Sequence, residues 1–305
     1  MPSSQIITFL VALIDLALGG LISNGFVVAV IVIEWAKCKT LAAREQLILS
    51  MGTSNIFFTF ILTAYFIRYG LKPDLSDSDS VIFGVYYFFL TFGLFFRLWV
   101  IALLCVFYCV KIVNSTHSLF LWCKLRISRM VPWLLGGSLV ITSFDSFITI
   151  QNRYISLMGN ATVNDANVTQ GKSENEFHSS LQVLLLIGNT VCPFLLVFLC
   201  SILVVTSLCR HVCRVTGKES KFRSPQTEAH VKAAGTVLFL LILSISFYVA
   251  ETLFISGQAE KNIFATSVCL TVIISYSPVQ AALLVSVNPK LKQAAARMLP
   301  RAKPS

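Results

Sequence analysis

One permanently charged side chain stands in the middle of an otherwise apolar run. Arg97 lies within "GLFFRLWVIALLCVFY", residues 93–108. An arginine keeps its charge in a protein, and its guanidinium carries five N–H donors. If the run crosses a membrane, lipid exposure of this group costs at least about 2.5–3.5 kcal/mol, so the side chain must face the protein interior. An ionisable residue at that depth is a candidate functional residue.

The residue types that carry most enzyme chemistry are scattered. The four histidines fall in loops and at helix ends on both faces, and neither an HExxH nor a GxSxG pattern occurs. We therefore expect no catalytic residue, no metal site, no cofactor and no enzyme activity. The histidines are His117, His178, His211 and His230.

The elements that must position Arg97 are membrane-spanning helices. The 305 residues are 56% hydrophobic and only 12% charged, with a mean hydropathy of +0.78, whereas soluble domains average about 25% charged residues. About twenty consecutive apolar residues cross a bilayer. Seven such runs predict an all-α membrane protein with a seven-helix bundle over 1–287. The predicted spans are about 6–33, 46–68, 81–112, 127–150, 180–209, 230–256 and 263–286.

The distribution of Lys and Arg predicts the orientation. Most of these bases fall in the loops on one side and in the C-terminal tail, which places the N-terminus outside and residues 288–305 in the cytosol. The net charge of +10 then belongs mainly to a face that meets membrane lipid, not nucleic acid. Two sequons in the long predicted outer loop, at Asn160 and Asn167, are glycosylation candidates.

The tail begins with a short amphipathic helix. Pro289 suits the first turn of a helix, because the N–H that proline lacks has no partner there. In "NPKLKQAAARML" one face is apolar and the other is polar. This pattern predicts a helix 8 lying along the inner leaflet.

Several stretches resemble the bitter taste receptors, the type 2 taste receptor family of G-protein-coupled receptors. They are "SNGFVVAVIVIEWAK" (23–37), "VFYCVKIVNSTHSLFLWCKLRI" (106–127), "PFLLVFLCSILVVTSLCRH" (193–211), "TEAHVKAAGTVLF" (227–239) and "NPKLKQAAARML" (288–299). The resemblance implies a multi-pass plasma-membrane chemoreceptor for small, mostly apolar bitter compounds. It also implies coupling to a heterotrimeric G protein of the gustducin, transducin or Gi type. A vomeronasal type 1-like chemoreceptor is the alternative.

The resemblance implies two sets of site residues. Agonists are expected among the outer halves of helices 3, 5, 6 and 7, and the G protein at the inner ends of helices 3, 5 and 6. The ligand-binding candidates are Leu90, Thr91, Leu94, Phe95, Ser244, Phe247, Glu251, Leu270 and Ile273. The coupling candidates are Tyr108, Lys111, Arg210, His211, His230 and Lys232. For the lysines, anchoring to anionic lipid is the alternative. Glu251 either faces inward as a partner for a cationic amine or is solvated by the headgroups.

Family members usually carry an arginine in the middle of helix 2, where this chain has Asn55. We therefore hypothesise that Arg97 supplies the cationic centre of a buried polar network with Asn24, Asn55 and Ser277. The acids within the predicted spans, Asp15, Asp145 and Glu251, fall closer to the outside, so we expect no simple ion pair, and a bound anion is one solution. The network is either a switch element or a fixed packing strut.

Overall fold

Eight helices make up the part of the chain that the structure describes. The structure is a computed structural model, and it describes residues 3–71, 77–113, 118–161, 169–216, 225–255 and 263–298. The helices are α1 (Ser3–Cys38), α2 (Ala43–Leu71), α3 (Asp77–Ile112), α4 (Ser118–Ala161), α5 (Thr169–Thr216), α6 (Pro225–Ile255), α7 (Ile263–Val287) and α8 (Pro289–Met298). The described ranges contain no strand.

Length and apolar composition fit a membrane-spanning bundle. Six helices contain a segment long and apolar enough to cross a bilayer, and α6 contributes the shorter apolar segment Leu238–Glu251. The predicted seven-helix fold with a short helix 8 is confirmed.

Helix α3 runs through the centre of the bundle. It packs against α2, α4, α5 and α6, whereas α1 packs against α2, α7 and α8. In the most apolar stretch of α3, 72% of the residues are buried, compared with 28% in that of α1. An arginine on α3 is therefore far better shielded from lipid than one on a peripheral helix.

The helices extend further than the apolar runs. The predicted spans 127–150 and 180–209 correspond to α4 and α5, which continue to Ala161 and from Thr169. Much of the predicted outer loop, about 151–179, is consequently helical. Once a helix is nucleated, each added residue contributes a backbone hydrogen bond at little cost, so a helix continues past the edge of its apolar run.

Small residues allow close approach where helices carry the polar site. A Cβ at Gly20 of α1 would lie 3.1 Å from Ser277 Oγ of α7. A Cβ at Gly93 of α3 would lie 3.2 Å from the Phe58 ring of α2. Glycine at these positions brings α1 to α7, and α2 to α3, close enough for side chains to meet.

Helix α8 is joined to the bundle by both capping and charge. Asn288 caps it, because its Oδ1 accepts the Lys290 N–H at 3.0 Å. The Lys290 ammonium also donates to Glu45 Oε1 at the start of α2, at 2.6 Å. This carboxylate raises the pKa of Lys290 above its usual value. Leu291 is fully buried beneath the junction.

Candidate functional site

Arg97 lies on α3 with its side chain almost completely enclosed. Only 2% of the residue is exposed, and it is the largest fully buried side chain described. Three aromatic rings surround the guanidinium carbon: Phe58 at 4.4 Å, Phe247 at 4.5 Å and Tyr276 at 4.7 Å from ring centroid to Cζ. The electron-rich faces of such rings attract a cation. Because the rings come from α2, α6 and α7, Arg97 connects four helices through one charge.

Hydrogen bonds join three of the four residues of the predicted polar network. Asn24 Nδ2 donates to Ser277 Oγ at 3.0 Å and to the Ser277 carbonyl at 3.1 Å. Asn55 Nδ2 donates to Asn24 Oδ1 at 3.0 Å. All three residues are buried. The network therefore joins α1, α2 and α7 at the depth estimated from the sequence.

Arg97 itself is not hydrogen-bonded into this network, which corrects the expected arrangement. Its Nε, Nη1 and Nη2 are buried and have no hydrogen-bond partner. Its contact with this part of the bundle is the ring of Tyr276, which lies 4.7 Å from Cζ. Glu251 also acts on Arg97 electrostatically, but the described residues form no ion pair with it. The cationic centre lies beside the network and not within it.

Two residues of α7 extend the network toward α6. Asn55 Nδ2 also donates to Gln280 Oε1 at 2.7 Å, and Gln280 Nε2 donates to the Tyr276 hydroxyl at 2.8 Å. The Tyr276 ring in turn packs against Phe247 of α6, with ring centroids 4.6 Å apart. A continuous chain of side chains thus runs from α1 to α6. Sequence reasoning did not place Gln280 and Tyr276 in the network, although Gln280 lies three residues after Ser277 and four after Tyr276, the spacing at which helical side chains are neighbours.

The ligand-binding candidates on α3, α6 and α7 are mostly buried. Eight of the nine are buried, and Leu90 is half-buried. The buried ones are Thr91, Leu94, Phe95, Ser244, Phe247, Glu251, Leu270 and Ile273. Glu251 is 8% exposed, so it faces the protein interior. Phe247 belongs to this set and also contacts both Arg97 and Tyr276, the latter with ring centroids 4.6 Å apart.

Ser244 also lines a cleft between α3, α5 and α6. The cleft has a cavity volume of about 10 Å³, roughly the space that one water molecule needs, and its walls are mainly apolar. Pro193 lies inside α5 at this point, where it removes a backbone donor and disturbs the helix. Phe194 and Tyr248 stack across the cleft with ring centroids 5.6 Å apart.

The family model for the taste receptor protein (TAS2R) matches residues 1–303, nearly the whole chain. The chain belongs to the taste receptor type 2 family. The resemblance noted from the sequence is confirmed, and the vomeronasal alternative is not favoured. Members of this family are receptors and not enzymes. The protein is accordingly a chemosensory G-protein-coupled receptor for bitter compounds, a multi-pass protein of the plasma membrane.

Individual taste receptors match over nearly their full length. The chain is 30% identical to taste receptor type 2 member 1 of Chlorocebus aethiops over 96% of this chain and 95% of the relative. It is 28% identical to taste receptor type 2 member 4 of Homo sapiens, over 95% of this chain and 96% of the relative. With member 4 of Mus musculus the identity is 27%, over 92% of each chain.

The structure describes the side chains of some residues of the predicted G-protein site of this taste receptor. Tyr108 is half-buried at the inner end of α3, with its ring against Phe107. Lys111 is exposed, and its ammonium lies 5.9 Å from the same Phe107 ring. Arg210 is exposed on α5. His211, His230 and Lys232, and the sequon residues Asn160 and Asn167, lie outside the residues whose side chains are described.

A second polar cluster of the taste receptor was not anticipated. Trp99 Nε1 of α3 donates to Asn189 Oδ1 of α5 at 2.8 Å, and Asn189 Nδ2 donates to Asp145 Oδ2 of α4 at 2.9 Å. Asp145 is 1% exposed. A carboxylate within an apolar span was the available signal, because such a group needs a partner. The cluster fixes α4 and α5 against the helix that carries Arg97.

Proposed function

We propose that this receptor binds small, mostly apolar agonists among the outer halves of α3, α6 and α7. Binding would alter the contacts of Arg97 and thereby favour activation of a heterotrimeric G protein of the gustducin, transducin or Gi type at the cytosolic face. The observation that carries the proposal is the double role of Phe247. It belongs to the candidate agonist site and also lies 4.5 Å from the buried guanidinium.

The chemistry of the outer residues supports an apolar site with few polar groups, as is usual for small-molecule sites. Thr91 has a hydroxyl, but that group donates to the Tyr87 and Phe88 carbonyls of its own helix. Glu251 is buried and has no hydrogen-bonding side chain among those described. An agonist amine would give this carboxylate a cationic partner, with the Phe247 ring one helical turn away.

The inner ends of α3, α5 and α6 supply the proposed G-protein site. Exposed bases at Lys111 and Arg210 suit the carbonyl end of an inserted helix and its acidic groups. The half-buried Tyr108 adds a hydroxyl-bearing side chain at the same end of α3. His211, His230 and Lys232 remain members of the proposed site by their place in the chain.

A calcium-release screen in cells that carry a suitable chimeric G protein tests the proposal. A panel of bitter compounds is applied to wild type, Phe247→Leu and Glu251→Gln, with surface expression measured in each. We expect Phe247→Leu to lower potency for most agonists, and Glu251→Gln to lower potency selectively for protonated amines. Thr53→Ala on the exposed face of α2 is the matched control.

Two results would contradict the proposal. If both variants respond as wild type at equal surface expression, agonists do not use this site. If Glu251→Gln reduces responses to amines and uncharged compounds equally, the carboxylate is not an amine anchor.

A further inference from the structure

The positive charge of the Arg97 guanidinium has partners among the described side chains, whereas its N–H groups have none. The three rings lie over the guanidinium carbon at 4.4–4.7 Å and take up the charge as cation–π contacts. These contacts use ring faces, whereas the N–H bonds lie in the guanidinium plane and point outward from its edge. All three nitrogens are buried and unpartnered. The edge therefore presents an unused fork of donors.

No described side chain accepts a hydrogen bond from this edge. Asn24 Oδ1 and Gln280 Oε1 both accept from Asn55, and the Tyr276 hydroxyl accepts from Gln280. Asn55 Oδ1 is buried without a partner but makes no bond to Arg97. Glu251 is buried and influences Arg97 only through space. A buried donor without an acceptor carries a desolvation cost, which is larger when the donor is charged. The cost falls if a group from outside the chain fills the position.

The positive charge of the guanidinium indicates which chemical class of group would fill this position. In a medium of low dielectric an anion interacts with a guanidinium far more strongly than a neutral acceptor does. The planar fork accepts a spherical halide or a carboxylate along two parallel N–H bonds. A bulky or multiply charged anion fits poorly, because Arg97 is 2% exposed and rings cover its faces.

We infer that the edge of the Arg97 guanidinium is a binding site for a small monovalent anion in the middle of the bundle. The anion is either a free halide or the acidic group of a bound ligand, since both present the same chemistry to the fork. The site lies beside the rings of Phe58, Phe247 and Tyr276, so an occupant would bear on the contacts that Arg97 makes with α2, α6 and α7. This inference stands without the proposed agonist site, because it concerns the receptor alone.

The test uses the purified full-length receptor without agonist or G protein. Melting temperature is measured at constant ionic strength while sodium gluconate is replaced by sodium chloride, bromide or acetate. A ligand that binds the folded state raises the melting temperature as its concentration passes its Kd. We expect a saturable rise of about 2–4 °C for wild type with at least one small anion. Gluconate is the reference because it is too large for the site.

Three variants make the result specific to Arg97. Arg97→Gln removes the charge, and we expect the anion-dependent rise to disappear. Arg97→Lys keeps the charge without the fork, so we expect a Kd at least about tenfold weaker, in line with the loss of paired hydrogen bonds. Lys292→Gln on the exposed face of α8 makes the same net charge change as Arg97→Gln and should keep the wild-type response.

The outcomes separate the sources of the anion. A rise with chloride and bromide identifies a free halide, whereas a rise with acetate alone identifies the acidic group of a ligand. Equal behaviour in all anions for wild type overturns the inference. An identical rise in wild type and Arg97→Lys overturns it as well, and that comparison remains available if Arg97→Gln does not fold.

Discussion

Asn55 joins α2 to both α1 and α7, and its removal gives the sharpest test of the buried network. Its amide donates to Asn24 at 3.0 Å and to Gln280 at 2.7 Å. Asn55→Ala removes both donors and leaves two buried acceptors unpaired. Interhelical hydrogen bonds in membranes average about 0.6 kcal/mol with a maximum near 1.7. We therefore expect a loss of about 1–3 kcal/mol in the free energy of unfolding.

A double-mutant cycle separates the hydrogen bond from other effects of truncation. Asn55→Ala, Gln280→Ala and the double variant are purified, and unfolding is followed by denaturant titration. We expect a coupling energy of about 0.6–1.7 kcal/mol for the 2.7 Å contact. Thr53→Ala is the control, because its exposed hydroxyl bonds only carbonyls of its own helix. If the two losses simply add, within about 0.3 kcal/mol, the amides do not interact and the network does not exist as described.

Three further changes have expected outcomes. Gly93→Ala places a methyl group 3.2 Å from the Phe58 ring and should lower the free energy of unfolding by about 1–3 kcal/mol. The added methyl group of Gly136→Ala meets nothing within 4 Å, so this variant should be neutral or stabilising. Equal melting temperatures for the two variants would refute the packing argument. Trp99→Phe deletes the donor to the α5 amide and should lower the melting temperature by roughly 2 °C, and no change would show that this bond is dispensable. Lys39 has a φ of 58° after α1, so Lys39→Gly should raise the free energy of unfolding by about 1 kcal/mol, and a decrease would contradict the left-handed cap.

The sequence predicted the level of the polar residues along their helices better than it predicted the direction in which their side chains point. The run length of each apolar segment places Asn24, Asn55 and Ser277 at one level, and the structure joins them. A distance along a helix does not specify the rotation of that helix about its axis. The rotation decides which side chains face Arg97, so Phe58 and Tyr276 were missed although both lie on predicted helices.

Comparison with a family pattern can also divert attention from a functional residue. The resemblance did not place Gln280 among the predicted site residues. In the structure it accepts from Asn55 and donates to Tyr276, and it is fully buried. A polar side chain in an apolar span needs a partner whatever its relatives carry there. Asp145 and Asn189 carried the same signal, and the structure pairs them.

The energetics of Arg97 bear on whether it acts as a strut or a switch. Lipid exposure at this depth costs about 2.5–3.5 kcal/mol, whereas three ring contacts contribute about 0.5–2 kcal/mol each. The cost of lipid exposure and the total contribution of the ring contacts are comparable. The N–H edge of the guanidinium has no partner among the described residues. A movement of Phe247 that weakens one ring contact by about 1 kcal/mol changes the ratio of two conformations about fivefold. A strut held by a saturated set of hydrogen bonds would be insensitive to so small a movement. Because Arg97 is held mainly by rings from three helices, one of them within the proposed agonist site, we favour the switch.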